Sequence, residues 1–247
     1  MDEEIGSNSD NKPLYLLADS QLLFWDSPSN RFVTSVRESL QAEQTTITRA
    51  AYIGASNGDN SEFYGLFTAA MDIIDTHASK MIRSTFPNED RNFLETADLI
   101  LLAGGDFEEG WGILRETGMA EIISRKYYEG TVILGVSAGA LHLGMGGSNS
   151  DPRDSFTETL KLVPYYIGVH DEENDWAQII LTLQQREEYC KGFGISAGGG
   201  LIYHPDSSIE PLRLGLNEFQ KSFGSEEEVY CNILLPPAVA KTSIGNK

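Results

Sequence analysis

The sequence predicts an α/β fold: a mainly parallel sheet with helices on both faces and an antiparallel β extension near the C-terminus. Three observations predict it. Four short apolar runs, "PLYLLAD" (Pro13 to Asp19), "RAAYIGAS" (Arg49 to Ser56), "ADLILLAGGD" (Ala97 to Asp106) and "EGTVILGVS" (Glu129 to Ser137), each end in small or polar residues. They are apolar throughout rather than alternating, the pattern of strands buried on both faces. Helical periodicity lies between and after them, and strand–turn–helix alternation is the signature of a parallel sheet. Late in the chain the texture becomes glycine-rich and β-prone.

Taken in order, "MDEEIGSNSDNKP" is acidic and polar where a secretory leader would be basic and then apolar, so residues 1–12 read as a disordered tail. Residues 13–240 read as a single α/β domain, a length that supports a substantial core. "SEFYGLFTAAMDIID" places Phe63, Leu66, Phe67, Ala70, Ile73 and Ile74 at helical spacing, with Ser61 a natural N-cap. "NDWAQIILTLQQREEY" (Asn174 to Tyr189) is a second amphipathic helix carrying Trp176, Ile179, Ile180 and Leu183. In "KGFGISAGGGLIYHPDSSIEPLRLGL", "HPDSS" is a tight-turn signal between two strands. This stretch is expected as an antiparallel extension at the sheet edge. Residues 241–247 read as a frayed end.

The net charge of −19 leaves no basic stripe to neutralise phosphates, which argues against nucleic acid or an anionic membrane as partner. No apolar run approaches the roughly 20 residues of a membrane helix. Cys190 and Cys231 form no redox or metal spacing, and free thiols suit a cytoplasmic protein. No His/Cys/Asp/Glu spacing makes a ligand set, so neither metal nor cofactor is implied.

The chemistry is expected at Gly135-Val136-Ser137-Ala138-Gly139, a G-x-S-x-G match with an apolar strand before it and a small-residue helix after. In that motif the serine sits on a sharp strand-to-helix turn, and the next residue's N–H lies where developing negative charge is favoured. An ordinary structural turn is the competing reading. The Gly-Gly turn in "LLAGGDFEEGW" lies at the strand edge where open α/β sheets bind ligands, and the N–H of Gly105 could complete an oxyanion hole with that of Ala138. The competing reading there is a helix entry capped by Asp106. Of the four histidines, His170 has the best location, at the end of a short apolar strand. His77 reads as a surface residue, His142 follows the elbow on its helix, and His204 sits in the "HPDSS" turn. Glu172, two residues beyond His170, projects to the same side if the chain is extended there, and could orient the imidazole. That geometry fails if a helix begins at Asp171. Asp151 is the rival acid.

Taken together, "AGGD", "GVSAGA" and a histidine after a short strand resemble the dipeptidase E and cyanophycinase family of serine peptidases, over about Leu14 to Pro211. The resemblance implies a three-layer sandwich with the flavodoxin-like sheet of class I glutamine amidotransferases. It also implies Ser137 as nucleophile, His170 as base, and Gly105 and Ala138 as oxyanion donors. "HDE" is similar to the His-x-Glu of class I amidotransferases, which ranks Glu172 above Asp151. "GISAGGG" puts Ala197 where relatives carry an acid, and Phe107 stands where they carry a polar residue. Asp106 and Phe107 are the candidate substrate-binding pair. The expected function is a cytoplasmic serine hydrolase cleaving a short peptide or isopeptide through an acyl-enzyme, compatible with a homodimer. The alternative is a catalytically impaired relative that binds a peptide or small molecule. A glutaminase would need a cysteine in the elbow, and an α/β-hydrolase an HGGG-type segment.

Overall fold

The computed structural model describes residues 11–25, 31–41, 48–149, 151–153, 155–221 and 228–237. The N-terminal tail up to residue 10 and the end from 238 onward lie outside the described residues.

The first half holds strands β1 (Leu14–Leu17), β2 (Arg49–Ile53), β3 (Ala78–Ile82), β4 (Leu99–Leu102) and β5 (Val132–Val136), with helices α1 (Arg31–Gln41), α2 (Ser61–Ile74), α3 (Asn88–Glu95), α4 (Phe107–Thr117) and α5 (Met119–Tyr128). After β5 come α6 (Ala138–Leu143), the two-residue strands β6 (Gly146–Gly147) and β7 (Thr157–Glu158), β8 (Tyr166–Val169) and α7 (Ala177–Gln184). Strands β9 (Lys191–Ile195), β10 (Gly200–Tyr203), β11 (Ile209–Leu212), β12 (Leu216–Lys221) and β13 (Val229–Leu234) follow.

Seven strands form the main sheet in the order β11-β10-β1-β5-β4-β2-β3. From β1 to β3 all neighbours are parallel, while β10 and β11 run antiparallel at the edge. Reading back from β3, the order is flavodoxin's 2-1-3-4-5 with the N-terminal strand in the last place. The uniformly apolar strands have a direct cause. Leu14 and Leu16 of β1 pack in one core with Ile100 and Leu102 of β4, while Tyr15 and Leu17 face the other with Leu99 and Leu101. Successive residues point to opposite faces, and both faces are buried. Helices α1 and α2 cover one face; α3 to α6 cover the other.

The antiparallel extension is present as the β10–β11 hairpin, closed by the His204 N–H donating to the Ser208 carbonyl and the Ser207 N–H donating to the His204 carbonyl. The first part of that same glycine-rich stretch goes elsewhere. Strand β9 joins a second, four-stranded sheet in the order β13-β12-β9-β8, with its own small core of Tyr166, Trp176, Ile179, Leu183 and Phe219. Two other expectations need correction. The second amphipathic helix covers only Ala177–Gln184, because Asp175 and Trp176 adopt left-handed backbone just before it. On α2 the N-cap is Asn60 rather than Ser61, and Phe63, Leu66 and Ile73 are exposed, since only one stripe of the helix faces the core.

Candidate active site

Every parallel strand of the main sheet delivers its following residues to one edge. Leu17 lies opposite Val136, Gly135 opposite Leu102, and Leu102 opposite Ile53. The segments after these strands, around Asp19, Asn57, Gly104-Gly105 and Ser137, therefore converge.

Ser137 stands between β5 and α6 with φ 51° and ψ −114°, a conformation L-residues rarely adopt. The neighbouring glycines account for how it is held there. A Cβ on Gly139 would lie 2.1 Å from the Leu102 carbonyl oxygen, and one on Gly135 would lie 2.5 Å from the carbonyl oxygen of Gly139. Only hydrogen at both positions lets α6 sit tightly on β4 and β5. The Ser137 N–H donates to the Leu17 carbonyl at 2.9 Å, tying the elbow to β1.

The structure brings His170 to this serine: Oγ of Ser137 and Nε2 of His170 are 2.9 Å apart. His170 follows β8, is exposed, has φ 40°, and its N–H donates to the Ile195 carbonyl at 2.9 Å. The other histidines are engaged elsewhere. His77 Nδ1 accepts from the Thr48 N–H, and His204 faces Glu210. His142 is buried between Phe107 and Trp111 and donates Nε2–H to the Phe107 carbonyl. Burial pushes its pKa down to about 4 against the opposing effect of that bond, so it is a neutral clamp between α4 and α6.

Gly105 and Ala138 line the cleft beside Ser137 and His170. Neither N–H has an acceptor among the described residues. Gly105 has φ 139°, and a Cβ there would lie 1.9 Å from the Ser56 carbonyl oxygen, so this turn accepts glycine alone.

The chain matches the family model described as peptidase family S51 over residues 36–210. The chain belongs to peptidase family S51. It is thus a serine peptidase by family. Among curated proteins it is similar to the uncharacterized peptidase YgaJ of Bacillus subtilis (strain 168), 24% identical over 172 residues that cover 66% of this chain and 73% of that one. Two solved structures share the fold. One is a peptidase from an acI-B1 Actinobacterium, with a TM-score of 0.65 at 19% identity, covering 90% of this chain and 97% of that one. The other is a putative peptidase E protein from Listeria monocytogenes EGD-e, with a TM-score of 0.59 at 16% identity, covering 83% and 99%.

The acids of this S51 peptidase are arranged differently from the sequence expectation. A 3-10 turn begins at Glu172, so the chain is no longer extended there and Glu172 does not project beside His170 as residue i+2 of a strand would. Its Oε1 instead accepts the N–H of Ala197 at 3.0 Å, while Oε2 is buried without a hydrogen-bond partner. No hydrogen bond joins Glu172 to His170 among the described residues. The rival Asp151 is held by the Arg153 guanidinium and N–H, which keep its carboxyl at about 2.

The expected substrate-binding pair, Asp106 and Phe107, stands at the start of α4. Asp106 is the N-cap of α4, accepting from the Glu109 N–H and from the Asn149 side chain, and these bonds hold its carboxyl below the usual range. Phe107 forms part of a cleft wall but is 3% exposed and packs on His142.

Sequence reading missed Asn57. Its Nδ2 donates to the Gly104 carbonyl at 3.1 Å and to the Tyr52 hydroxyl at 2.9 Å. In a planar trans peptide the C=O and N–H point opposite ways, so holding the Gly104 carbonyl fixes the Gly105 N–H on the far side from Asn57. The only signal in the sequence was a polar residue at the carboxyl end of β2, beside the point where the strand order reverses.

Proposed function

We propose that the chain hydrolyses a peptide or isopeptide bond through an acyl-enzyme on Ser137, with His170 as general base and no carboxylate as third member. The observation that carries this is the 2.9 Å contact between Oγ and Nε2. It is a direct hydrogen-bond distance for proton transfer. His170 acts as the tautomer protonated at Nδ1, leaving Nε2 to accept the Ser137 proton. Oγ attacks the carbonyl carbon, and the Gly105 and Ala138 amides stabilise the resulting oxyanion. His170 returns the proton to the leaving nitrogen as the C–N bond breaks. Water, deprotonated by the same imidazole, then attacks the ester, releasing the acid and restoring the Ser137 hydroxyl.

The missing carboxylate at His170 favours one competing reading, a family member that binds peptide without turning it over. Labelling by a fluorophosphonate, read by intact-mass spectrometry, separates the two. The hydrolase reading expects one adduct on Ser137 in the wild type and none in Ser137→Ala or His170→Ala. An unlabelled wild type, or equal labelling of His170→Ala, overturns the assigned roles.

A further inference from the structure

Two clefts, one mixed and one almost wholly apolar, meet at Ser137, His170 and Gly105. One occupies about 370 Å³ and has a mixed wall, in which Ser148, Asn149, Asp171, Asn174 and Gln178 stand beside apolar residues such as Leu141 and Ile179. The other occupies about 250 Å³ between α2, the segment after β1 and the carboxyl edge of the sheet. Leu23, Phe67, Leu101 and Ala103, all buried, form its inner wall, and Phe63 and Leu66 form its rim. From the rationale of the second cavity we propose that it is a specificity pocket for one bulky, uncharged apolar side chain next to the scissile bond. This rests on the hydrolase reading of Ser137 and His170.

Size and polarity both lead there. An apolar cavity of about 150 Å³ already takes benzene, so this one has room for a leucine, methionine or phenylalanine side chain. Away from the dyad, its polar residues Asp19, Tyr52 and Asn57 are engaged within the protein. Asp19 accepts from the Gln21 N–H, the Gln21 side chain and the Gly198 N–H, and the Tyr52 hydroxyl accepts from Asn57. Among the described residues, no lysine or arginine lines either cleft. An acidic side chain would lose its hydration beside Asp19 with no positive partner, which opposes its entry. The exposure of Phe63 and Leu66, at 51% and 44%, also has an explanation here: they form the mouth of a pocket whose floor reaches the nucleophile. The mixed cleft on the other side has the polar groups to meet the main chain of the same substrate.

The test is a panel of dipeptides and N-acylated dipeptides in which each residue flanking the scissile bond is in turn Leu, Phe, Gly, Asp or Lys. At one of the two positions, kcat/KM is expected to favour Leu or Phe over Asp on the order of 100-fold. Leu66→Arg, a change on the exposed rim, should narrow that ratio at least ten-fold (about 1.4 kcal/mol), and Phe63→Ala should narrow the preference for Phe over Gly several-fold. Fluorophosphonate labelling is run on the same samples. A labelled enzyme that accepts Asp as well as Leu at both positions overturns the pocket assignment and leaves the hydrolase reading standing. An enzyme neither labelled nor active overturns the hydrolase reading. In that event, calorimetric binding of N-acetyl-leucinamide, weakened by Leu66→Arg, still supports the pocket, and binding unaffected by it, or absent, overturns the pocket as well.

Discussion

The two sheets each supply half of the candidate dyad, and they hold it with unequal security. Ser137 follows β5, which lies between β1 and β4 with both faces buried. His170 follows β8, the edge strand of the small sheet, which among the described residues pairs with β9 alone; one face of this pair, Ile167, Phe193 and Ile195, packs into the main core, and the other, through Tyr166, rests on the small core of five buried side chains. The nucleophile is therefore fixed between two central strands, and the base at a sheet edge that leans on the main core from one side and on the small core from the other. The part of this site most easily lost is the imidazole.

The largest expected effect falls on the dyad itself. Ser137→Ala and His170→Ala should each lower kcat/KM on the order of 10⁴-fold or more, because the pair acts as a unit. Thermal melting should change little for His170→Ala, since that side chain is exposed. A residual rate within 100-fold of wild type for either variant would break the comparison at its root.

Next comes the satellite core. Phe219→Ala, at 2% exposure against Trp176, should cost roughly 3–5 kcal/mol locally. In urea, loss of turnover should then precede loss of the far-ultraviolet circular dichroism signal. Coincident transitions would mean that the two sheets unfold as one and that the contrast drawn above is wrong.

The buried clamp beside the nucleophile gives a pH test. His142 has a folded pKa of about 4 against about 6.5 unfolded. Below pH 6.5 the unfolded chain takes up a proton that the folded protein excludes. Stability is therefore full above pH 6.5 and falls as pH drops toward 4, by about 3 kcal/mol over the window. His142→Gln should flatten that slope in denaturant titrations at pH 7 and pH 4.5. An unchanged slope would assign the acid sensitivity elsewhere.

Smaller effects refine the site. Asn57→Ala frees the Gly104–Gly105 peptide to rotate, and kcat should fall about ten-fold with KM little moved. Deleting an oxyanion donor outright costs about 10²–10³-fold, and loosening its aim costs less. Glu172→Ala should lower kcat less than ten-fold, through loss of the bond to Ala197. A thousand-fold fall would restore Glu172 as the third catalytic member.

What was legible in the sequence was local. G-x-S-x-G could be read because the motif is contiguous and the strand it terminates is uniformly apolar, although the close approach that requires Gly139 is to Leu102 on a different strand. His170 could be read because an apolar strand delivered it. The partner of Glu172 was not legible for the complementary reason: a 3-10 turn begins at this residue, and its carboxylate accepts a hydrogen bond from the distant Ala197 N–H. Asp106 resolved to a cap, which its local pattern equally allowed. Strand β12, "LNEFQK", and the edge strand β3 carry too little apolar signal to be seen, and both exist because a neighbour offers a free edge.

By itself the sequence determined the parallel α/β core and the strained serine between glycines, because burial on two faces and glycine's freedom act over short spans of chain. The tertiary structure alone decided the partners of that serine. The second sheet that carries His170, the Asn57 side chain that reaches the Gly104 carbonyl, and the apolar cavity under Phe63 are contacts between segments tens of residues apart, and no local pattern encodes the meeting of distant strand ends.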